Sequence, residues 1–443
     1  MGNTGPVVAL QSGSRPFCLA PARNGRHGGS RIFLTPERWF PAIFKREMGE
    51  LPVLELLKAQ PADALLALIK LYAADDRPTK IDLGVGVYRT ADGATPVFKA
   101  IKAAEARLLD GQDSKSYLGP EGDMGFVRAI MPWMLGNFDP AGRIDGLQTP
   151  GGTGAVRLAA DLLLKAGVKR IWMGTPSWPN HVQIFNAVGL ASETFRHLDV
   201  ATQKLDFTSL EAALDKADAG DAVLLHGCCH NPTGADYSEQ QWQQIAETVA
   251  TKRLFPLIDL AYHGLGHGFE ADGYGLRTVL AKVPEALIAY SCDKNFGLYR
   301  ERVGALYVMT ESAEQQPAIQ SNLAALARAN WSMPPDHGAA AVRIVLEDEG
   351  LTKIWLAELD SMRERMRSVR DTLASYQSIG SVNLAAVGQQ NGLFSVLQLT
   401  PDQIAALRAD WGVYMAGSGR INIAGFTEAN IPHFIEGLRA VTA

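Results

Sequence analysis

Cysteine is scarce. Cys18, Cys228, Cys229 and Cys292 are the four cysteines in 443 residues; none forms a CxxC pair, and two are adjacent. This makes a disulfide framework implausible and points to a reducing compartment, hence a cytoplasmic protein. Long apolar runs are missing: none approaches the ~18 residues a membrane-spanning helix needs, so no membrane partner is expected. Positive charge is not in excess. Lys and Arg number 42 against 47 Asp and Glu, a formal net charge of −5, which gives no electrostatic reason to bind nucleic acid. Nucleotide-loop signatures are absent as well. GGTGAVR (151–157) lacks the Lys-Ser/Thr of a P-loop, and GVGVYR (84–89) fails the GxGxxG pattern. HGCCH (226–230) mixes His and Cys but has no second ligand pair at finger-like spacing. HGLGH (263–267) lacks the HExxH glutamate, and its glycines argue against a helix. No metal is expected, and zinc through HGCCH is kept as a minor alternative.

What is present is a globular balance, 47% hydrophobic and 20% charged, with length for two or three domains. Residues 1–47 stand apart, with six arginines and one lysine against two acids. Prolines at 6, 16, 21, 36 and 41 spoil the amphipathic helix of an organellar presequence. The segment reads as a disordered leader, or as an early start with Met48 the true one. From residue 51 the patterning is globular. ADALLALIKLYAAD (62–75) has helical spacing, and GGTGAVRLAADLLLKAG (151–167) is a glycine turn opening a helix. Strand-like runs recur at 170–174, 222–227, 254–259, 286–291 and 303–309, with helical patterns such as 239–252 between several of them. That alternation predicts an α/β fold with a mainly parallel sheet covered on both faces. A long helix over 351–376 leads into a smaller α+β unit.

Ligands of open α/β sheets sit at the carboxyl ends of strands. Those ends carry Asn231 after AVLLHG, Asp259 and then Tyr262 after LFPLI, and Lys294 after ALIAYS. GGTG offers free N–H groups at a helix start, an anion site, and Arg302 adds a fixed positive charge. Taken singly, each has a plainer reading: Asp259 a cap, Asn231 a turn former before Pro232, Trp178 core. Together, an anion cradle, a lysine and a carboxylate suit pyridoxal 5'-phosphate, which needs a Schiff-base lysine, an acid beside its ring nitrogen and a phosphate site.

The motifs IDLGVGVYR (81–89), SYLGPEG (116–122), TPGGTGAVR (149–157), PSWPNH (176–181), LLHGCCHNPTG (224–234), IDLAY (258–262), KNFGLYRERVG (294–304), RANWSMPPDHGAA (328–340), NGLFS (391–395) and GRINIAG (419–425) carry a resemblance. From about residue 51 to the end, the chain resembles the aspartate and aromatic amino acid aminotransferases, fold type I pyridoxal-phosphate enzymes. The resemblance implies a large domain with a seven-stranded sheet over 96–361. It implies a small domain divided between 48–95 and 362–443. It makes Lys294 the cofactor lysine and proton shuttle, and Asp259 the partner of the ring nitrogen. Tyr262 and Asn231 become partners of the 3'-oxygen, and Trp178 the stacked ring. Gly152, Thr153, Ser291 and Arg302 become the phosphate cradle, with Tyr117 reaching it from a partner subunit. Arg420 matches the arginine on the substrate α-carboxylate, with Gly86 and Asn180 lining that site. Arg328 matches the partner-subunit arginine for a distal carboxylate. A homodimer with shared active sites follows.

Three positions depart from the family pattern. Asp293 stands where serine is usual, and a carboxylate there is expected to repel phosphate or shift the lysine. His263 stands where glutamine is common, and Gln398 lies in a bulkier stretch than usual, VLQLT (396–400). Met333 replaces a residue commonly polar in aspartate-preferring relatives, and a thioether suits an aromatic side chain. The expected activity is ping-pong transamination of aromatic amino acids or aspartate with 2-oxoglutarate. Alternatives are a strict aspartate aminotransferase and a catalytically silent binding protein of the same fold.

Overall fold

The computed structural model describes residues 53–59 and 64–443, so the leader assigned to 1–47 lies outside the described residues. The chain divides into two units, 1–61 and 62–443. The described part of the first contains one 3-10 turn, Val53–Leu56. The second carries the sheet and the site.

Its elements begin with helix α1 (Ala64–Ala73) and strand β1 (Ile144–Pro150), which runs straight into α2 (Gly151–Lys165). There follow β2 (Arg170–Thr175), α3 (Asn180–Val188), β3 (Ala191–Arg196), β4 (Ala222–His226) and α4 (Glu239–Lys252). Then come β5 (Phe255–Leu260), β6 (Ala286–Ser291), β7 (Val303–Met309), α5 (Gln316–Asn330) and α6 (Glu349–Ser375). The seven strands form one sheet in the order β1-β7-β6-β5-β4-β2-β3. Neighbours from β6 to β3 pair in parallel, and β7 runs antiparallel to both β6 and β1.

Alternation along each strand explains why both faces are covered. Leu287 and Ala289 enter one core with Ala155, Leu158, Ala159 and Leu163 of α2. Ile288 and Tyr290 enter the other with Trp242, Ile245 and Val249 of α4 and Trp355 of α6. Every residue of β6 and β7 is buried, so these strands read as unbroken apolar runs. Each large side chain buried this way contributes ~1.5–3 kcal/mol. The boundaries of α4 follow from local chemistry. Ser238 Oγ accepts the Gln241 N–H at 3.2 Å, while Gln241 Oε1 accepts the Ser238 N–H at 2.9 Å, so the two satisfy each other's free donors.

Register gathers the strand ends. Val303 lies opposite Pro150, and Gly304 opposite Ser291. The first turn of α2, the segment after β6 and the loop before β7 therefore converge. His226 lies opposite Asp259, and Asp259 opposite Ala289. A shorter ladder sets Phe394–Val396 against Arg420–Asn422, with Val396 facing Arg420. Asn422 Nδ2 donates to the carbonyls of Val85 (2.6 Å) and Val87 (2.8 Å), which fixes the 84–87 segment over the same strand ends.

Candidate active site

The cradle begins with glycine. Gly151 has φ +71°, a left-handed conformation that lets β1 turn directly into α2. A methyl on Gly152 would stand 2.9 Å from Ser291 Cβ, so the helix start presses on the end of β6 and leaves its N–H groups open. Ser291 is fully buried behind this contact and accepts the Asp293 N–H at 3.3 Å; it does not line the cavity.

Beyond these ends lies a cavity of about 320 Å³. It is lined by Gly86, Gly152, Thr153, Trp178, Asn231, Asp259, Tyr262, Lys294, Arg302 and Arg420, so ten residues singled out from sequence meet in one place. Lys294 Nζ stands 5.3 Å from the centre of the Tyr262 ring. Burial lowers the Lys294 pKa and Arg302 adds to this, while Asp293 and Asp259 oppose it. Burial raises Tyr262, and its hydroxyl accepts from Asn231 Nδ2 at 3.3 Å.

Asp259 is anchored from behind. Its Oδ2 lies 3.0 Å from His181 Nε2, and His181 Nδ1 lies 3.1 Å from Ser177 Oγ. Ser177 Oγ in turn lies 3.2 Å from His226 Nε2. With Asp259 ionised and His181 assigned as the Nε2–H tautomer, the donors line up one way: His226 to Ser177, Ser177 to His181, His181 to Asp259. The row continues through ring contacts: the His226 and His230 ring centres lie 4.1 Å apart, tilted by 35°, and His230 stacks on His197 at 3.7 Å. Burial pushes His226 down to about 3 and His197 down to about 4, and lowers His230 too, so the three are neutral. Burial alone would raise Asp259, but the His181 hydrogen bond and nearby charges outweigh it and lower its pKa. A buried carboxylate held ionised is what a protonated ring nitrogen requires.

At the opposite wall, Arg420 Nη2 donates to Gly84 O at 2.9 Å, and Arg420 Cζ sits 4.4 Å from the Phe394 ring. A methyl on Gly86 would meet Phe394 Cζ at 2.8 Å, so only glycine fits there without displacement. Two buried atoms in this cavity lack partners, Asn231 Oδ1 and Arg420 Nε. Open N–H groups, a fixed arginine, a half-buried lysine, an ionised Asp259 and these orphaned atoms fit pyridoxal phosphate.

Other sequence-derived positions fall elsewhere. Tyr117 is 92% exposed. Arg328 is exposed on α5 and donates to Ser332 Oγ at 2.5 Å. Asn180 opens α3 but does not line the cavity, and neither do Tyr117 and Arg328. Met333 Sδ accepts the Leu118 N–H at 3.2 Å, tying the two exposed segments together. His263 is buried between the Tyr290 hydroxyl and the Phe269 carbonyl and does not line the cavity, although its neighbour Tyr262 does. Gln398, with its amide oriented so that nitrogen faces its acceptors, donates to Ser381 and Ala201 carbonyls, both at 3.1 Å.

Asp293 is not the uncompensated charge the sequence suggests. It is 1% exposed, Oδ2 pairs with Arg302 Nη1, and Oδ1 accepts the Val303 N–H at 3.0 Å. HGCCH also divides. Its histidines join the row behind Asp259, while Cys228 and Cys229 approach Asp272. The Asp272 carboxylate already accepts N–H groups of Gly264, Gly266 and His267 at 2.7 to 2.9 Å. His181, Ser177, Tyr299 and Phe394 carry no expectation of their own in the sequence, and His226 entered only as part of a possible zinc site. His181 and Ser177 lie inside the quoted PSWPNH, and Phe394 inside NGLFS, so the signal was the motif rather than any residue's chemistry.

Comparison with known proteins agrees with this geometry. Residues 78–438 match the family model for class I and II aminotransferases. The chain is 51% identical to the tyrosine aminotransferase of Rhizobium meliloti (strain 1021), over 85% of this chain and 96% of that protein. It is 44% identical to the aspartate aminotransferase of Salmonella typhi, over 87% and 99%. Among solved structures, an aromatic-amino-acid aminotransferase from Burkholderia pseudomallei, covalently bound to pyridoxal phosphate, superposes with TM-score 0.84. That match is 34% identical and covers 89% of this chain and 100% of that one. The chain thus belongs to the class I and II aminotransferases, transaminases of fold type I that work with pyridoxal phosphate.

Proposed function

We propose that this protein exchanges amino groups between aromatic amino acids or aspartate and 2-oxoglutarate, as a cytoplasmic homodimer with shared active sites. The observation that carries the reading is Lys294, half-buried just beyond a strand end with Asp259, Arg302 and Arg420 in one cavity. When bound, the cofactor supplies an electron sink for charge developing at the substrate Cα. The chain's residues do the rest. Arg420 forks onto the α-carboxylate, a bidentate task that suits a planar guanidinium. Lys294 Nζ, its pKa lowered by burial, carries a proton to and from Cα. Asp259, with His181 behind it, would pair with the ring nitrogen and keep it protonated, and Trp178 would cover the ring. Thr153, Arg302 and the N–H groups of α2 take the phosphate, with Ser291 supporting Gly152.

Leu65, Val85, Val87 and Phe394 give the cavity an apolar wall beside Arg420, which favours an aromatic side chain. The relatives' names, a tyrosine and an aspartate aminotransferase, support both halves of the reading. Exposure of Tyr117 and Arg328 supports a partner-directed role for each, because solvent-facing Tyr and Arg side chains are enriched at interfaces. The division into a large domain (96–361) and a small one (48–95 with 362–443) is part of the proposal. Three buried free cysteines support a reducing compartment. Among the described residues no helix is long and apolar enough to cross a membrane. Initial rates with tyrosine, phenylalanine and aspartate against 2-oxoglutarate test the reading. Use of aspartate alone would replace it with a strict aspartate aminotransferase.

A further inference from the structure

The arginine that would take the cofactor phosphate already carries a carboxylate. Asp293 Oδ2 pairs with Arg302 Nη1, and Arg302 Nη2 donates to Thr153 Oγ1 at 3.4 Å. Both groups lie against the first turn of α2: a methyl on Gly151 would stand 2.7 Å from Arg302 Nη2 and 2.9 Å from Asp293 Oδ2. The Val303 N–H, 3.0 Å from Oδ1, fixes the carboxylate there. One arginine and one helix N-terminus therefore face two anions, the buried carboxylate and an arriving phosphate. At ~4 Å, two like charges in a partly buried site repel by several kcal/mol, so both cannot stay fully ionised at little cost.

We propose that Asp293 is the proton acceptor of cofactor loading: ionised, it holds Arg302 in place while phosphate is absent, and it takes up one proton when the phosphate dianion binds. The proton comes from solvent, the carboxyl becomes neutral, and its O–H turns to a phosphate oxygen. No bond to carbon or phosphorus changes. Arg302 passes from the carboxylate to the phosphate. The charged and titratable groups facing Asp293 are Arg302, Lys294, Tyr299 and Cys292. Burial raises the Asp293 pKa, with Lys294 and Arg302 opposing, so its carboxyl is already inclined toward the neutral form. The inference rests on the proposed placement of the phosphate at Thr153 and Arg302.

Pyridoxamine 5'-phosphate binds apoenzyme without a covalent link, which makes it the probe. Calorimetry at about pH 8, where the phosphate is a dianion, in two buffers of different ionisation heat, counts protons. The parent should take up about one proton more than Asp293→Asn and Asp293→Ser. As pH rises, its Kd should weaken more steeply than theirs, by about tenfold more per pH unit. Both variants should bind about tenfold or more tighter at that pH. Because Asp293 also raises the Lys294 pKa, the comparison is repeated in a Lys294→Ala background, where the difference isolates residue 293. The ³¹P resonance of the bound probe should hold its dianion position throughout. Equal proton counts and slopes in parent and variants would overturn the proposal, as would a ³¹P shift that places the proton on the phosphate. Arg302→Leu separates the two readings. If it leaves affinity unchanged, the phosphate placement is wrong; if it weakens binding while proton counts stay equal, only the role of Asp293 falls.

Discussion

Arg370 is 2% exposed and has no carboxylate partner among the described residues, yet it bonds the carbonyl of Phe394, which lines the cavity. It lies on α6, and its Nη1 donates to Val387 O at 3.0 Å and Ser395 Oγ at 2.9 Å. Its Nη2 serves the carbonyls of Asn391 (3.0 Å), Gly392 (2.8 Å) and Phe394 (2.9 Å). These bonds fix the loop that presents Phe394 to Arg420. Arg370→Met keeps much of the volume but strands five acceptors. Each buried group left unpaired costs ~1–3 kcal/mol. Some loop carbonyls can turn to water, so the expected net loss is about 3–5 kcal/mol. Urea unfolding would measure it. A loosened Phe394 should then raise KM for both aspartate and tyrosine more than it lowers kcat, because it weakens the setting of Arg420, the proposed partner of the α-carboxylate. Arg370→Lys, with one donor head, should fall between. An unchanged unfolding midpoint would refute the energetic argument. A lower midpoint with unchanged KM would break the link from loop to Arg420.

Gly152→Ala should keep the fold at a cost of about 1–3 kcal/mol from overpacking and lower cofactor affinity by pushing α2 off Ser291; Gly417→Ala, with open space around it, is the control in the same dialysis assay. Protein stability should fall as pH drops below about 6.5. His226 and His197, held near 3 and 4 by burial, stay neutral when folded but protonate when unfolded. The loss approaches ~1.4 kcal/mol per pH unit for each histidine, and His197→Phe should flatten the curve in urea titrations between pH 7 and 5. Arg328→Ala should cut kcat/KM for aspartate far more than for phenylalanine, and equal loss for both would remove the distal-carboxylate role.

The five strands legible from sequence are the inner ones, β2 and β4 to β7, apolar because both faces are covered. The two that went unmarked, β1 and β3, are the edges of the sheet. IDGLQTP and ASETFR carry polar residues an inner strand would not tolerate, and β3 is largely exposed. The site was legible because strand ends in a parallel sheet share one rim, so Asp259 and Lys294 had to be near each other. What the sequence could not show is pairing across loops. Asp293 meets Arg302 because β6 and β7 are antiparallel neighbours, which puts the residues flanking their ends side by side. The histidine row gathers from three segments, and nothing local tells HGCCH to send its histidines one way and its cysteines the other.

The most direct test of the central claim is where the cofactor attaches. Holoenzyme reduced with borohydride, digested and read by mass spectrometry should carry the pyridoxyl phosphate mass on the peptide containing Lys294. Attachment at another lysine, or none in protein that still transaminates, would contradict the account.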